Sequence, residues 1–316
     1  MKKISFVIPC YGSEKTIEFV VNEIVETVSQ KKDEYDYEII AIHDCSPDNV
    51  LSVLKRLAQD NKRLKIIDFA KNFGKHAGVL AGFNYASGDY IVGLDDDGQC
   101  PMDHLWELLA PLINDESDYA MAKYSHVKQS AFKNFGSAVN SVMSKVLINK
   151  PKDLYFSNFY AMKSFVAKEM TKYNNPYPYL EGLTLRTTRS IITVPMEERE
   201  RIEGQGNFTF RKSLSLWLNG FTAFSVKPLR IATVIGTLCA FFGFIFGLYV
   251  IIKKIVNPDI AMGYSSTMAV ILFIGGVIML MLGMIGEYIG RIYISINNSP
   301  QYVVRDIIND DTSREK

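Results

Sequence analysis

The N-terminal third of the chain alternates short apolar runs with longer stretches in which apolar residues recur at helical spacing. The apolar runs are rich in β-branched side chains and predict strands at residues 4–8, 37–42, 64–69 and 89–94. The longer stretches predict helices at residues 13–28, 49–59 and 75–86. Strands that alternate with helices indicate an α/β fold built on a doubly wound, mostly parallel sheet.

Two long apolar segments near the C-terminus add a membrane part to this picture. Residues 231–252 and 267–286 each run for about twenty residues without a charge, which is enough for a helix to cross a bilayer. The apolar run at the N-terminus stops at Pro9 and is too short for the core of a signal peptide. Lysine and arginine lie mainly on the outer sides of the two segments, at Arg211, Lys212, Lys227, Arg230, Arg291 and Arg305, and the loop between holds Lys253 and Lys254. This distribution predicts a multi-pass protein of the inner (cytoplasmic) membrane with its N-terminal domain and both ends in the cytoplasm.

The stretch before the first apolar segment is amphipathic. Residues 208–224 interleave aromatic and leucine side chains with Arg211 and Lys212, as in a helix lying among lipid headgroups, although an ordinary packed helix can have the same pattern. We expect a cytoplasmic domain at 1–205, interfacial amphipathic helices at 206–230, a two-helix transmembrane domain at 231–290 and a cytoplasmic tail at 291–316. Two GxxxG pairs favour close helix packing within one chain or in a homo-oligomer: Gly243 with Gly247, and Gly286 with Gly290.

The composition limits which classes of partner and which cellular compartment fit the protein. The 35 Lys and Arg residues nearly balance the 34 Asp and Glu residues, so no bulk charge favours nucleic acid as a partner. The four cysteines lack the spacing of a zinc site or a disulfide framework and suit a reducing compartment. We interpret them as packing residues.

A polar segment follows each of the four predicted strands. These segments are residues 11–13, 44–48, 71–75 and 95–99. In a doubly wound sheet, ligands bind beyond the carboxyl ends of the strands, so the four segments should converge on one binding edge.

The fourth polar segment reads DDDGQ and has the chemistry of a metal site. If it is extended, Asp95, Asp97 and Gln99 share one face and Asp96 points the other way into a structural role. Two carboxylates and an amide oxygen suit Mg²⁺ or Mn²⁺, with water and substrate phosphates as the remaining ligands, and they disfavour zinc. Such an ion can stabilise a departing diphosphate. A solvated acidic turn is the simpler alternative.

The motifs together resemble a known family. They are FVIPCYGSEKTI, HDCSPDN, KNFGKHAGVLAGFNYASGDYIVGLDDDGQCP, RIEGQGNFTFRK, FSVKPLRI and EYIGRIY. In this order they resemble the family-two GT-A glycosyltransferases that act on polyprenyl phosphates, the dolichyl-phosphate mannose synthase-like and bacterial undecaprenyl-phosphate sugar transferases. The resemblance covers nearly the whole chain. It implies a GT-A fold, a nucleotide-sugar donor, a polyprenyl (undecaprenyl) phosphate acceptor, inversion at the anomeric carbon, and a role in cell-envelope glycan synthesis or modification.

The resemblance also implies donor-site residues. The D-x-D-x-Q segment places Asp97 and Gln99 on the ion and Asp95 near the ion or the nucleotide. Pro9, Tyr11 and Asp44 correspond to positions that hold the base and ribose, and Lys75 and Asp96 are assigned to the same nucleotide-sugar site. The family pattern is broken at Ser13, where an acidic residue is usual, and at Cys45, where glycine is usual. Asp44, Ser46 and Asp48 also fit an Asx-type turn that caps the next helix.

A second set of residues is implied for the acceptor. A phosphate acceptor is already anionic at neutral pH, so it needs cations to position it and no general base. The resemblance assigns Lys123, Lys133 and Ser137 to the acceptor phosphate, although a solvated basic helix face is the simpler alternative. Lys133 and Ser137 lie one helical turn apart.

The segment RIEGQGNF resembles a family loop that closes over the diphosphate. Arg201 matches the family arginine, whose planar guanidinium suits phosphate oxygens, and Asn207 takes a lysine or asparagine position. Gly206 replaces a serine. The catalytic residues expected from the whole pattern are Asp97, Arg201 and Lys133, and Glu181 is a further candidate for contact with the sugar.

Two other functions compete with this interpretation. A processive polysaccharide synthase shares the N-terminal loops, but it needs more membrane spans and a Q-x-x-R-W motif that the chain lacks. A membrane-anchored protein that binds nucleotide sugars without catalysis remains an alternative.

Overall fold

The computed structural model describes residues 1–124, 154, 156–176, 178–197, 199, 227–257, 263–297 and 299–309. The chain divides into two compact units. One consists of Met1–Gly220 with Ser299–Lys316, and the other of Phe221–Asn298.

The first unit begins with the predicted alternation of strands and helices. Its elements are β1 (Lys2–Cys10), α1 (Ile17–Ser29), β2 (Tyr35–His43), α2 (Val50–Asp60), β3 (Leu64–Phe69), α3 (Lys75–Tyr85) and β4 (Tyr90–Gly93). All four predicted strands and all three predicted helices are confirmed, with their ends shifted by a few residues at most.

Further elements follow that the apolar pattern did not assign. They are a 3₁₀ turn (Met102–His104), α4 (Leu105–Ile113), β5 (Tyr119–Tyr124), β6 (Tyr160–Lys163), α5 (Ser164–Met170), α6 (Leu180–Thr187), β7 (Ile191–Met196) and, after the second unit, β8 (Val304–Ile308).

The described strands form one sheet in the order β7-β5-β6-β4-β1-β2-β3-β8. Strands β1 to β4 are parallel to one another. Strand β6 runs antiparallel to β4 and β5, while β7 is parallel to β5 and β8 is antiparallel to β3. The predicted α/β fold with a mostly parallel, doubly wound sheet is confirmed.

Helices cover both faces of the central strands, which explains why those strands are apolar on both sides. Ile4, Phe6 and Ile8 of β1 belong to a core shared with α1, α2 and α4. On the other face, Gly82 of α3 lies against Val7, and a Cβ atom at Gly82 would come within 2.3 Å of the Val7 Cγ1 atom. The small residues of α3 therefore allow that helix to approach the sheet closely.

The second unit is a pair of long helices, α7 (Lys227–Val256) and α8 (Tyr264–Ile296). Each contains a segment long and apolar enough to cross a membrane, Ala232–Lys253 in α7 and Phe273–Ile296 in α8. The second segment lies further along the chain than its charge-free run suggested, and it includes Glu287. A Cβ atom at any glycine of the two GxxxG pairs would meet no described heavy atom within 4 Å.

The chain returns to the first unit after α8. Strand β8 pairs with β3, Tyr302 stacks on Phe69 with ring centroids 5.3 Å apart, and the Tyr302 hydroxyl accepts a hydrogen bond from Asn84 at 2.9 Å. Asn309 donates its side-chain N–H groups to the carbonyls of Ala58 and Leu64. Residues on both sides of the helix pair thus build one domain.

Candidate active site

The loops after β1 and β4 meet at the point where the strand order reverses. Strands β2 and β3 lie on one side of β1 and β4 lies on the other, and this is where doubly wound sheets bind ligands. The Tyr11 backbone N–H donates to the Asp96 carboxylate at 3.0 Å. The Thr16 hydroxyl donates to the Asp96 backbone carbonyl at 2.5 Å. At the predicted binding edge, the loops after β1 and β4 are therefore hydrogen-bonded to each other.

The DDDGQ segment is a turn and not an extended strand, which corrects the premise of the alternation argument. Residues 96–98 form the turn, with Gly98 at a positive φ of 75°. The Asp97 carboxylate accepts the Gln99 backbone N–H at 3.1 Å, while the Asp95 carboxylate lies 2.5 Å from the Lys75 ammonium. Each aspartate therefore has its own environment.

Asp96 faces the β1 loop, where burial raises its pKa to about 6, and the neighbouring Asp95 charge acts in the same direction. The hydrogen bond from the Tyr11 backbone N–H opposes this rise. Its carboxylate joins two loops of the site, which is the structural role expected for it.

The segment after β7 is held against the acidic turn, a connection that sequence reasoning missed. The Gln99 side-chain amide donates to the Arg199 carbonyl at 3.2 Å, and the Arg199 N–H donates to the Gln99 carbonyl at 3.3 Å. The Arg199 guanidinium forms ion pairs with Glu23 and, at 2.7 Å, with Asp103. These ion pairs join the segment after β7 to α1 and to the 3₁₀ turn.

Asp44 is buried at the end of β2, and its carboxylate binds backbone amides. Its two oxygens accept the N–H groups of Phe73 at 2.7 Å and Gly74 at 2.8 Å. Burial raises the pKa of Asp44, and these two hydrogen bonds act in the opposite direction. Asp44 therefore holds the loop before α3 and does not cap α2. Of the three residues in the Asx-turn alternative, Asp48 accepts the N–H of Val50 at the start of α2, at 3.4 Å.

Ser46 and Asp48 connect the β2 loop to the β1 loop. The Ser46 hydroxyl accepts the Gly12 N–H at 2.8 Å and donates to Asp48 at 2.6 Å. The other oxygen of Asp48 accepts the Glu14 N–H at 2.9 Å. These contacts explain why polar residues are concentrated here: each satisfies a backbone or side-chain group of a neighbouring loop.

A buried histidine–aspartate pair is hydrogen-bonded to the loop after β2. His43 Nδ1 lies 2.6 Å from Asp68 Oδ1, and His43 Nε2 accepts the Ser46 N–H at 3.1 Å. Because Nε2 is an acceptor, the proton is on Nδ1 and is donated to Asp68. Arg305 of β8 lies 3.6 Å from the other oxygen of Asp68. Sequence reasoning missed this pair because the two residues come from different strands.

The first turn of α3 carries Lys75 and His76 into the site. Burial and the adjacent Lys75 charge lower the pKa of His76 to about 4, so its ring is neutral at pH 7. His76 Nδ1 accepts the Leu180 N–H at 3.2 Å, which brings the start of α6 to this edge. There the Tyr179 hydroxyl donates to the Glu181 carboxylate at 2.7 Å. Glu181 therefore lies near the predicted binding edge.

Tyr160 covers the end of β4. Its ring lies over Gly93, where a Cβ atom would come within 2.1 Å of Tyr160 Cζ. The Tyr160 hydroxyl is buried and has no hydrogen-bond partner among the described residues. Gly93 is thus required by packing at the strand end that delivers the aspartates.

The oxygen donors of the acidic turn suit a divalent cation. Asp95, Asp97 and Gln99 supply hard oxygen ligands within one turn, the type of partial ligand set that Mg²⁺ or Mn²⁺ completes with water and phosphate. Across the described part of the chain, no group of three or more His, Cys, Asp or Glu side chains could hold a metal by itself. The residues fit an ion that is shared with a phosphorylated ligand.

Of the remaining predicted site residues, the structure describes three, and four lie outside its described part. Pro9 is buried at the end of β1, and Tyr11 is exposed beside it. Lys123 is exposed near the end of β5. Because β6 is antiparallel to both β4 and β5, the carboxyl ends of β4 and β5 lie at the same edge of the sheet. Four predicted residues lie outside the described part of the chain: Lys133, Ser137, Arg201 and Asn207.

A mostly parallel sheet with polar loops at its strand-order reversal is the layout in which doubly wound α/β domains bind their ligands. Residues 5–167 match the model of glycosyl transferase family 2, and residues 227–292 match the GtrB C-terminal hairpin. The chain belongs to glycosyl transferase family 2, which confirms the family expected from its motifs.

Similar proteins match over nearly their whole length. The SfII prophage-derived bactoprenol glucosyl transferase of Shigella flexneri is 30% identical over 96% of this chain and 97% of its own. The undecaprenyl-phosphate 4-deoxy-4-formamido-L-arabinose transferase of Proteus mirabilis is 26% identical over 98% of this chain and 94% of its own. The fold is similar to that of glucosyl-3-phosphoglycerate synthase from Mycobacterium tuberculosis, solved with Mn²⁺, uridine-diphosphate and phosphoglyceric acid, with a TM-score of 0.51 at 18% identity. That match covers 70% of this chain and 76% of the other.

Proposed function

We propose that the protein transfers a sugar from a nucleotide-sugar donor to a polyprenyl phosphate such as undecaprenyl phosphate at the membrane, with inversion. One observation carries the proposal. A family-two domain and an apolar helix pair occur in one chain, and that chain is similar over nearly its whole length to proteins named for transfer to bactoprenol or undecaprenyl phosphate.

The donor part of the mechanism depends on preorganised loops. The hydrogen bonds of Asp44, Ser46, Asp48 and Asp96 fix the four loops before substrate binds, so little ordering remains when the nucleotide enters. Pro9 and Tyr11 border the place we assign to the base and ribose. A divalent cation held by Asp97 and Gln99, with Asp95 beside it, would neutralise charge on the leaving diphosphate.

The acceptor part depends on cations. We assign Lys123, Lys133 and Ser137 to the lipid phosphate, whose anionic oxygen attacks the anomeric carbon without a general base. We assign Arg201 and Asn207 to the diphosphate. Support for Arg201 comes from Arg199, two residues earlier in the chain, which is hydrogen-bonded to Gln99 of the acidic turn.

We place the first unit on the cytoplasmic side of the inner membrane. Because residues before and after the helix pair build the same unit, the chain must cross the membrane an even number of times. Basic residues outside the two spans favour the cytoplasmic orientation. The open glycine pairs of α7 and α8 support helix contacts between copies, so we include a homo-oligomer in the proposal.

The deciding experiment uses purified full-length protein in detergent or nanodiscs. A panel of radiolabelled nucleotide sugars is incubated with undecaprenyl phosphate and either Mg²⁺ or Mn²⁺, and the organic phase is analysed for glycosylated lipid. We expect one sugar to be transferred, with activity abolished by EDTA. Tight nucleotide-sugar binding without any lipid product would favour the non-catalytic alternative, and elongating polymer would favour a processive synthase.

A further inference from the structure

Lys75 occupies an unusual position for a cation. It is the first residue of α3, and positive charge at the N-terminus of a helix is disfavoured by the helix dipole. Its ammonium nevertheless lies 2.5 Å from Asp95 Oδ1, and the Asp95 side chain is only 18% exposed. The ion pair with Asp95 explains why the side chain lies there.

The same ion pair conflicts with the role proposed for the acidic turn. An ammonium in direct contact with Asp95 Oδ1 takes an acceptor position on that carboxylate that a divalent cation would also use. Two cations this close also repel each other strongly in a partly buried site. Lys75 and a divalent ion therefore compete for Asp95.

The backbone around Lys75 is fixed, but its side chain has room to move. Asp44 holds the N–H groups of Phe73 and Gly74, and His76 holds the N–H of Leu180, so α3 begins at a defined place. The Lys75 side chain is 38% exposed, and its four-carbon stem allows the ammonium to swing while the helix stays in place. A diphosphate at the switch point would lie beside this first turn, where helix N–H groups and an ammonium both favour negative charge.

We propose that Lys75 has two successive partners. Before substrate binds, its ammonium neutralises Asp95 in place of the divalent cation. When the cation and the nucleoside diphosphate bind, Lys75 releases Asp95 and pairs with the donor phosphates. The inference rests on the donor site of the proposed function and adds an order of events to it.

The test measures two affinities in Lys75→Gln, and the proposal predicts that they change in opposite directions. Mn²⁺ binding without nucleotide, measured by electron paramagnetic resonance, should tighten by about three- to tenfold because the competing ammonium is gone. Binding of UDP or GDP in saturating Mn²⁺, measured by calorimetry with whichever nucleotide binds the wild type better, should weaken by about tenfold or more because a phosphate contact is lost.

Two further variants separate this from simpler explanations. Lys172→Gln breaks an equally short 2.5 Å ion pair with Glu169 outside the proposed site and should change neither affinity. Lys75→Arg keeps the charge, so it should keep Mn²⁺ binding close to the wild-type value and restore most of the nucleotide affinity. Restoration in Lys75→Arg also shows that loss in Lys75→Gln does not come from misfolding.

Other outcomes overturn the inference. If both affinities fall in Lys75→Gln, the residue is only structural, and if Mn²⁺ affinity is unchanged, Lys75 does not compete with the ion. In both cases the proposed donor site would still be supported if the wild type binds Mn²⁺ and the nucleotide. If the wild type binds neither, the donor site and the inference fail together.

Discussion

Three adjacent aspartates at the end of β4 differ because their neighbours differ. Asp95 meets Lys75, Asp96 meets the Tyr11 N–H and Asp97 meets the Gln99 N–H. The alternation rule for extended chains could not show this, since Gly98 at positive φ turns the segment. At this scale the residue types were readable from sequence, but the direction of each carboxylate was not.

Asp97→Ala should abolish sugar transfer while leaving the fold intact. Its carboxylate is one of the hard ligands assigned to the cation, and loss of that ligand should lower the rate by about a hundredfold or more. The measurement is lipid-linked product formation at saturating donor and acceptor, with Asp36→Ala as the surface control because Asp36 forms an exposed pair with Arg63. Full activity in Asp97→Ala would remove it from the metal site.

Glu38→Gln should destabilise the first unit in a pH-dependent way. Burial alone would raise the pKa of Glu38, but hydrogen bonds from Ser5, Ser87 and Lys3 lower it below its usual value of 4.5. A lowered pKa means that the contribution to stability is complete above pH 4.5 and is lost as the pH falls through the folded-state pKa. We expect a loss of about 2 kcal/mol at pH 7 that shrinks in acid.

The measurement for Glu38 is urea unfolding of the full-length protein between about pH 2 and pH 8, with exposed Glu34→Gln as the matched control. A difference from wild type that stays constant down to about pH 2 would show that the charge of Glu38 does not stabilise the fold.

Strand β8 is the element whose role depends most on tertiary structure. It lies beyond the second long helix, yet it pairs with β3 at one edge of the sheet. Nothing in its apolar pattern connects it to a strand more than two hundred residues earlier. Its pairing makes the residues after the helix pair part of the catalytic domain.

Tyr302→Ala should therefore destabilise the first unit although it follows the membrane helices. The substitution removes the stacking on Phe69 and the hydrogen bond with Asn84, at a cost of about 2 kcal/mol. Thermal unfolding in detergent should show a melting temperature several degrees lower. Val303→Ala, at a neighbouring exposed position, should be close to wild type. Equal melting temperatures for the two variants would mean that this segment does not contribute to the domain.

At the scale of the whole molecule, the helix pair and the domain that it interrupts set the topology. If α7 and α8 both cross the membrane, the residues before and after them lie on one side of it, because both build the first unit. The basic residues outside the two helices predict that this side is the cytoplasm.

Cysteine labelling tests that topology. With the four native cysteines replaced, Ser190→Cys on the first unit should react with a membrane-impermeant maleimide only in inverted vesicles. Asn257→Cys, between the two helices, should react in intact cells. Labelling of both from the same side would show that the helix pair does not cross.

Binding of the lipid acceptor involves the whole molecule, because residues of the first unit must reach a phosphate on a membrane lipid. Lys133→Ala should raise the KM for polyprenyl phosphate by about tenfold and change the KM for the nucleotide sugar much less, because the ammonium is assigned to the lipid phosphate. Steady-state kinetics with each substrate varied in turn provide the measurement. An unchanged KM for the lipid would exclude Lys133 from the acceptor site.

The sequence by itself determined the parts that depend on local pattern. Apolar β-branched runs and helical spacing defined the first four strands and three helices, charge-free length indicated the two apolar helices, and ordered motifs defined the family. These features are encoded within short windows, because backbone geometry and the thickness of a bilayer act locally.

Only the tertiary structure decided which polar groups meet. The pairs His43–Asp68, Lys75–Asp95 and Gln99–Arg199 each join residues that are distant in the chain, and the side chain of Asp44 turned out to hold the loop before α3. A hydrogen bond or an ion pair needs a distance near 3 Å and a suitable angle, and these are fixed only when strands and helices pack. The polar residue types of the binding edge were therefore readable from the sequence, and the fold showed which of them hydrogen-bond to neighbouring loops.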